Sequence, residues 1–330
     1  MGMTMSVSLD EDRSSPAVFT ALLGATLFRY ASMELLRRRK LAQFVEVGEV
    51  AGISLYPIKS THGWSLQSAD CTPLGIQHDG VTDRHLLVTQ ADGTFLTMRK
   101  EPRMTLIKTE VQDDFLLFNA PGMETLRLPK EQSVNSKNLR RCRIWDDNVK
   151  VVDSGEEASH WFSSFMNKVG LRLMYYAPGI PKREAISQRK PWEHKAQPGD
   201  RAAFADFAAY MIASTDSLDV LNQNLSTAVS IRNFRPNIVV SGNGAFKEET
   251  WSEIRIGDAS FRALDLCARC LQTTVNPDTG DKCVKQEPLA TLKKLNSNLA
   301  YTNKAIFGVN AALDTPGRIH IGDKVYALIA

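Results

Sequence analysis

Residues 85–99, HLLVTQADGTFLTMR, decide the fold class. Two runs rich in β-forming residues, His85 to Gln90 and Thr94 to Arg99, meet at Ala91-Asp92-Gly93. Asp-Gly supplies the positive-φ backbone of a tight reversal, so the stretch predicts a β-hairpin. The pattern repeats outward. Met104 to Val111 and Phe115 to Phe118 flank Gln112-Asp113-Asp114, and Arg143 to Trp145 and Val149 to Val152 flank Asp146-Asp147-Asn148. Ser154-Gly155-Glu156-Glu157 then reads as a capping box. Behind it Ala158, Trp161, Phe162, Phe165, Met166 and Val169 recur at helical spacing, an apolar stripe that belongs to a core. Leu171 to Tyr176 adds one more strand.

From Pro178 to Pro198 the chain is rich in Pro, Lys, Arg and Gln and has no apolar periodicity, which places a domain boundary there. The division expected is a leader over 1–45, a β-rich domain over 46–178 and a second domain over 179–330. In the second domain an apolar run from Phe207 to Ala213 leads into a helix near Ser214 to Asp216 that carries Leu218, Leu221 and Leu225. Strands follow at Ile238 to Val240, and at Glu253 to Ile256 and Ser260 to Ala263 around Gly257-Asp258. Pro288 opens a short helix through Leu295, and Gly317 to Leu328 reads as a hairpin around Gly322-Asp323. The fold class is therefore mostly β with some α.

The 330 residues are 43% hydrophobic and 23% charged, the composition of a globular chain. A formal charge of +3 is too slight for the electrostatic term behind nucleic-acid binding, so no nucleic-acid partner is expected. Five Cys, an odd number, argue against a disulfide scaffold and for reduced thiols free to act as ligands or nucleophiles. In the leader, Asp10, Glu11 and Asp12 precede a charge-free run from Ser14 to Phe28, with Arg37, Arg38, Arg39 and Lys40 beyond it. The run falls short of the about 20 apolar residues of a full span. Two readings stand: a weak signal-anchor with everything after Lys40 in the cytosol, or a leader with no membrane role.

Cys267-Ala268-Arg269-Cys270 is the sharpest chemical signal. A structural zinc site needs four ligands, and Cys283 and His320 stand isolated downstream. A thioredoxin-type pair sits at a helix N-terminus, whereas this pair lies between two predicted strands. What remains is one thiolate beside Arg269, set against two buried structural cysteines. Lone cations recur near turns, at Lys59 in Tyr56-Pro57-Ile58-Lys59-Ser60, Arg84 in Thr82-Asp83-Arg84 and Arg235 in Asn233-Phe234-Arg235-Pro236-Asn237. They suit a phosphate or are surface charges; the neighbouring prolines favour fixed positions. Asp206, between Phe204 and Tyr210, needs a partner in so apolar a stretch, unless it caps a helix or sits in a surface turn. No Gly-rich phosphate loop and no Gly-x-Ser-x-Gly occurs, which sets ATP, NAD and the commonest serine hydrolases aside.

Together with Thr273-Thr274-Val275-Asn276-Pro277-Asp278-Thr279-Gly280, these motifs resemble the MOSC family, and within it the mitochondrial amidoxime-reducing branch, from about Val47 to the C-terminus. The resemblance implies a β-barrel N-terminal domain and a β-barrel MOSC domain that hold a molybdenum cofactor. Cys270 is then the metal's thiolate ligand. Lys59, Ser60, Arg84, Arg235, Asn237 and Arg269 hold the pterin and its phosphate, with Asp206 near the metal as a proton relay or as a group that supports the metal's surroundings. The chain departs from the vertebrate pattern at Phe207-Ala208, where a hydroxyl pair is expected, and at Ala268, where Ser is expected. The implied reaction is two-electron reduction of amidoximes, hydroxylamines and N-oxides. Electrons come from NADH through cytochrome b5 reductase and cytochrome b5, at the mitochondrial outer membrane with the catalytic part facing the cytosol. Two other roles remain: a MOSC carrier of sulfur or cofactor with no turnover, and a scaffold that has lost its cofactor.

Overall fold

The computed structural model describes residues 43–181, 183–187 and 190–329, with Thr26, Arg29, Tyr30 and Met33. The expected leader, residues 1–45, otherwise lies outside the described residues. Among those described, no helix is long and apolar enough to cross a membrane.

Seven strands form the central barrel: β1 (Val45–Leu55), β2 (Tyr210–Ser214), β3 (Ile238–Ser241), β4 (Trp251–Ile256), β5 (Ala259–Ala268), β6 (Lys304–Thr315) and β7 (Lys324–Ile329). Their order is β2-β3-β1-β7-β4-β5-β6, and antiparallel pairing of Tyr210–Ser214 with β6 closes the ring. Closure removes the sheet edges that an open set would expose. A half-barrel of shorter strands accompanies it. There Leu139–Ile144, Asp147–Asp153, Arg172–Tyr175 and Leu86–Thr89 make one sheet, and α1 (Glu156–Met166) packs Trp161, Phe162 and Phe165 into the core. The fold is thus mostly β with few helices, as the alternation of apolar residues predicts. Strand pairing crosses the expected boundary near 178: β1 pairs with β3 and β7, and Ser68–Thr72 pairs with Gly317–His320. Residues 45–330 form one compact unit.

Several local expectations change. The reversal at Ala91-Asp92-Gly93 forms as predicted, with Gln90 N–H to Thr94 carbonyl and Leu96 N–H to Val88 carbonyl bonds and an antiparallel Thr89 to Phe95 bridge, but the run after Gly93 is too short to be a strand of its own. Pro102 starts a 3₁₀ turn, Pro102–Leu106, so the next strand begins at Lys108. The reversal predicted at 146–148 comes earlier: Ile144 pairs with Asp147, and Trp145 takes a left-handed φ of +53°. The capping box does not form. Gly155 is the N-cap, its N–H is bonded by Asp153 Oδ1, and Ser154 Oγ is buried without a partner. Val169, placed on the helix stripe, is 99% exposed beyond the helix end. Gly317–His320 and β7 do not pair with each other; one joins Ser68–Thr72 and the other joins β1 and β4.

Candidate cofactor-binding site

Chain reversals at strand ends converge on a cavity of about 490 Å³. Lys59 and Ser60 follow β1, Arg84 follows Val81–Thr82, Asp206 and Phe207 precede β2, and Arg235 precedes β3. Ala268, Arg269 and Cys270 continue from the end of β5. Ser60 (φ +73°), Arg84 (φ +48°) and Arg235 (φ +56°) all take the left-handed conformation. Such backbone costs about 1–3 kcal/mol per non-glycine residue, and clustering of it at one cavity is typical of functional sites.

Lys59 is 5% exposed, and its Nζ donates to Asp206 Oδ1 at 2.6 Å and to the Phe204 carbonyl at 2.8 Å. Trp145 Nε1 donates to the same Asp206 oxygen at 3.0 Å. Asp206 therefore has its partners, and it also sits in a bend with its side chain 58% exposed, as the surface-turn alternative expects. Burial pushes the Lys59 ammonium down to about 8, with Asp206 opposing the shift. Desolvation works against ionisation of Asp206, but the Lys59 charge and hydrogen bond, with Trp145 and Arg99, hold its carboxyl below the usual range. Asp206 is ionised at neutral pH and cannot store a proton there. Lys59 is its ion-pair partner, an ammonium that burial pushes down while the Asp206 charge and hydrogen bond hold it up.

Arg84 pairs with Asp83, which also accepts the Tyr56 N–H at 2.8 Å. Its Nη2 donates to the Arg235 carbonyl at 3.1 Å, and both guanidinium groups lie over the Tyr56 ring, at 4.6 and 4.1 Å. Arg235 Nη1 donates to the Thr61 carbonyl at 2.5 Å, while its Nη2 is buried and unpartnered. Burial, with the Arg84 charge beside it, pushes the Arg235 guanidinium down to about 10, against the pull of Tyr56. Arg269 donates from Nη1 to Cys267 Sγ at 2.8 Å and from Nη2 to the Phe234 carbonyl at 2.6 Å, leaving Nε buried and unpartnered. Arg235 and the half-buried Arg269 line one cavity, and each keeps a guanidinium nitrogen buried without a partner; two cations so placed fit an anionic oxygen group such as a phosphate. Cys270 carries an exposed free thiol in the same cavity. No group of three or more His, Cys, Asp or Glu that could hold a metal occurs among the described residues. A single thiolate suits a metal whose remaining ligands arrive with a cofactor.

Of the expected site residues, Asn237 and Ala208 do not line the cavity. Asn237 is 1% exposed and works from behind, its Oδ1 accepting from Arg84 Nη1 at 3.3 Å and from the Met211 N–H at 3.2 Å. Ala208 packs with Ala185, Phe207, Leu264 and Ala312. Phe207 does line the cavity, and Lys190 Nζ sits 3.3 Å from its ring centre. Sequence reading missed Arg99, Trp145, Lys190, Trp192 and Lys304, all part of the lining. A Trp in a segment with no apolar periodicity, as at Trp192, was the one available signal.

The chain matches the MOSC N-terminal beta barrel domain over residues 47–169 and the MOSC domain over 199–326. It is 37% identical to the mitochondrial amidoxime-reducing component 1 of Mus musculus over 93% of this chain and 88% of that one. Component 2 of Bos taurus is also 37% identical, over 89% and 86% respectively. Component 1 of Homo sapiens is 35% identical over 93% and 89%. With both domains present and identity at this level across most of each chain, this protein belongs to the MOSC-domain family of amidoxime-reducing components.

Proposed function

We propose that the chain is a molybdenum-cofactor-dependent reductase of N-hydroxylated compounds such as amidoximes, hydroxylamines and N-oxides. The observation that carries this reading is that Arg235 and Arg269, neither with a carboxylate partner among the described residues, share one cavity with the exposed Cys270 thiol. Cys270 would hold the metal, and Lys59, Ser60, Arg84, Arg235 and Arg269 would hold the pterin and its phosphate. The bound cofactor supplies two-electron reduction. The net change, N–OH to N–H with release of water, consumes two electrons and two protons. The chain contributes the protons and the geometry. Lys59 holds one proton at Nζ, and ionised Asp206 fixes that ammonium by ion pairing while Trp145 fixes Asp206.

Electrons are proposed to arrive from NADH through cytochrome b5 reductase and cytochrome b5. The relatives named above are mitochondrial components, which supports a mitochondrial site for this chain; the proposed site is the outer membrane, with the catalytic part in the cytosol.

The test is molybdenum and pterin content of full-length protein from a host that makes the cofactor, followed by reduction of benzamidoxime with a chemical electron donor. Near-stoichiometric molybdenum with turnover supports the reading. Molybdenum without turnover favours the carrier alternative, in which Cys270 bears a persulfide. Metal-free protein overturns the reductase reading and favours the scaffold that has lost its cofactor.

A further inference from the structure

Arg99, Arg235, Arg269 and Lys304 line the cavity, and no carboxylate among the described residues forms a salt bridge with any of them. Arg235 and Arg269 belong to the phosphate-binding group argued above. Arg99, whose charge also acts on the Asp206 carboxylate, and Lys304 remain outside that group, and each lies near a tryptophan ring. The Arg99 guanidinium lies 4.9 Å from the centre of the Trp145 ring, whose Nε1 donates to the Asp206 carboxylate at 3.0 Å. Lys304 Nζ lies 6.0 Å from the centre of the Trp192 ring, over which Lys190 Nζ also sits at 5.4 Å, and Trp192 Nε1 donates to the Asp265 carboxylate at 2.9 Å. An indole N–H bonded to a carboxylate has a more electron-rich ring, which strengthens its hold on a cation.

Each arrangement is anchored. The Asp265 side chain is fully buried, takes the Lys190 ammonium as ion-pair partner and accepts from Asn310 Nδ2 at 2.8 Å. Lys190 thereby spends its charge on Asp265, which leaves Lys304 as the unspent one. On the other side, Trp145 is fixed by its left-handed backbone and by the edge of Phe95 at 5.1 Å. The two cations come from distant parts of the chain, Arg99 from the half-barrel side and Lys304 from the first residue of β6. Asp146 is the one acid of the lining besides Asp206, so the surplus over the phosphate-binding group is still positive.

A cation over an aromatic face loses less freedom on meeting an anion than a free one does, which applies most to Arg99 at 4.9 Å, while Lys304 is an exposed side chain at 6.0 Å. We infer that Arg99 and Lys304 select N-hydroxylated substrates that carry an acidic substituent, a carboxylate or a phosphate, over neutral ones. This rests on the reductase reading above and names the substrate class of the same cavity.

The test compares benzamidoxime with its 4-carboxy and 4-phosphono derivatives, using the full-length, cofactor-loaded protein and a small chemical electron donor. The expected result is a kcat/KM preference for the acidic substrates of about tenfold, carried by KM, with each of Arg99→Gln and Lys304→Gln reducing the acid-to-neutral ratio a few-fold. The double variant is expected to abolish the ratio, and Arg99→Lys to keep most of it. A larger gain for the phosphonate than for the carboxylate points to phosphorylated substrates, and the reverse to carboxylic acids. Equal kcat/KM for neutral and acidic substrates overturns the inference. An unchanged ratio in the double variant also overturns it, and if turnover driven by an acidic electron-donor protein then falls, the pair belongs to the donor's docking surface. If no amidoxime is reduced at all, the reductase reading fails separately. Tryptophan-fluorescence titration with 4-carboxybenzamidine and with benzamidine then decides the inference: tighter binding of the acid, lost in the double variant, sustains it, and equal binding overturns it.

Discussion

At the scale of single residues, Cys270 and Cys267 share a cavity but differ in surroundings: Cys267 Sγ accepts from Arg269, whereas Cys270 presents an exposed thiol. Cys270→Ala is expected to abolish both molybdenum retention and amidoxime reduction, while Cys267→Ala keeps most of each, as metal analysis and steady-state assays would read. Equal loss in both would reassign the ligand. Arg235→Gln removes the buried cation with the orphaned Nη2, so pterin content should drop markedly while the thermal midpoint stays or rises, because burial of that charge is opposed in the protein without an anion. His85 is buried, with Nδ1 bonded to the Thr82 carbonyl, and burial holds its imidazole down to about 4. The unfolded chain takes up the proton near 6.5 and the folded chain only near 4, so stability is full above pH 6.5 and is lost as pH falls between those values. The loss is on the order of 3 kcal/mol and should be absent in a folded His85→Asn variant, as denaturation at pH 7 and pH 4.5 would show.

At the scale of elements, the barrel closes where β2 meets β6, and Gly308 sits at that seam with φ +80°. A Cβ there would lie 2.4 Å from the Ile212 carbonyl oxygen and 2.7 Å from Met211 Cε. Gly308→Ala combines a left-handed alanine with a backbone clash, and is expected to cost at least about 2 kcal/mol in chemical denaturation. The amphipathic helix α1 was legible from its 3.6-residue stripe, because that period depends only on local geometry. Its start was not, because Gly155 with φ +97° takes the N-cap and Asp153 supplies the side-chain bond near the entry. The 145–146 reversal moved for a comparable reason. Ladder register in Leu139–Ile144 and Asp147–Asp153 fixes which residues turn, and the shift by one position is what brings Trp145 to Asp206.

At the scale of the whole molecule, β1 ties the first half of the chain to the barrel of the second. It precedes the half-barrel in sequence but lies between β3 and β7 in the closed barrel. A chain beginning at residue 57, or the second domain alone from 179, should therefore leave the barrel open between β3 and β7. Neither is expected to give the cooperative thermal transition that a chain beginning at residue 44 gives. A sharp transition in the 179–330 fragment would show that the barrel closes without β1.

The sequence alone determined the β-rich class, the helix stripe, the Cys270 motif and the cations Lys59, Arg84 and Arg235. Each of these is written in local periodicity or in a short ordered motif, and the motifs together carried the family. Only the tertiary structure decided that Lys59 and Asp206 are partners 147 positions apart, that Asn237 works from behind Arg84, and that Trp145 and Trp192 hold Arg99 and Lys304 at the cavity. Those pairings depend on barrel closure and strand register, which are set by long-range packing and leave no local pattern to read.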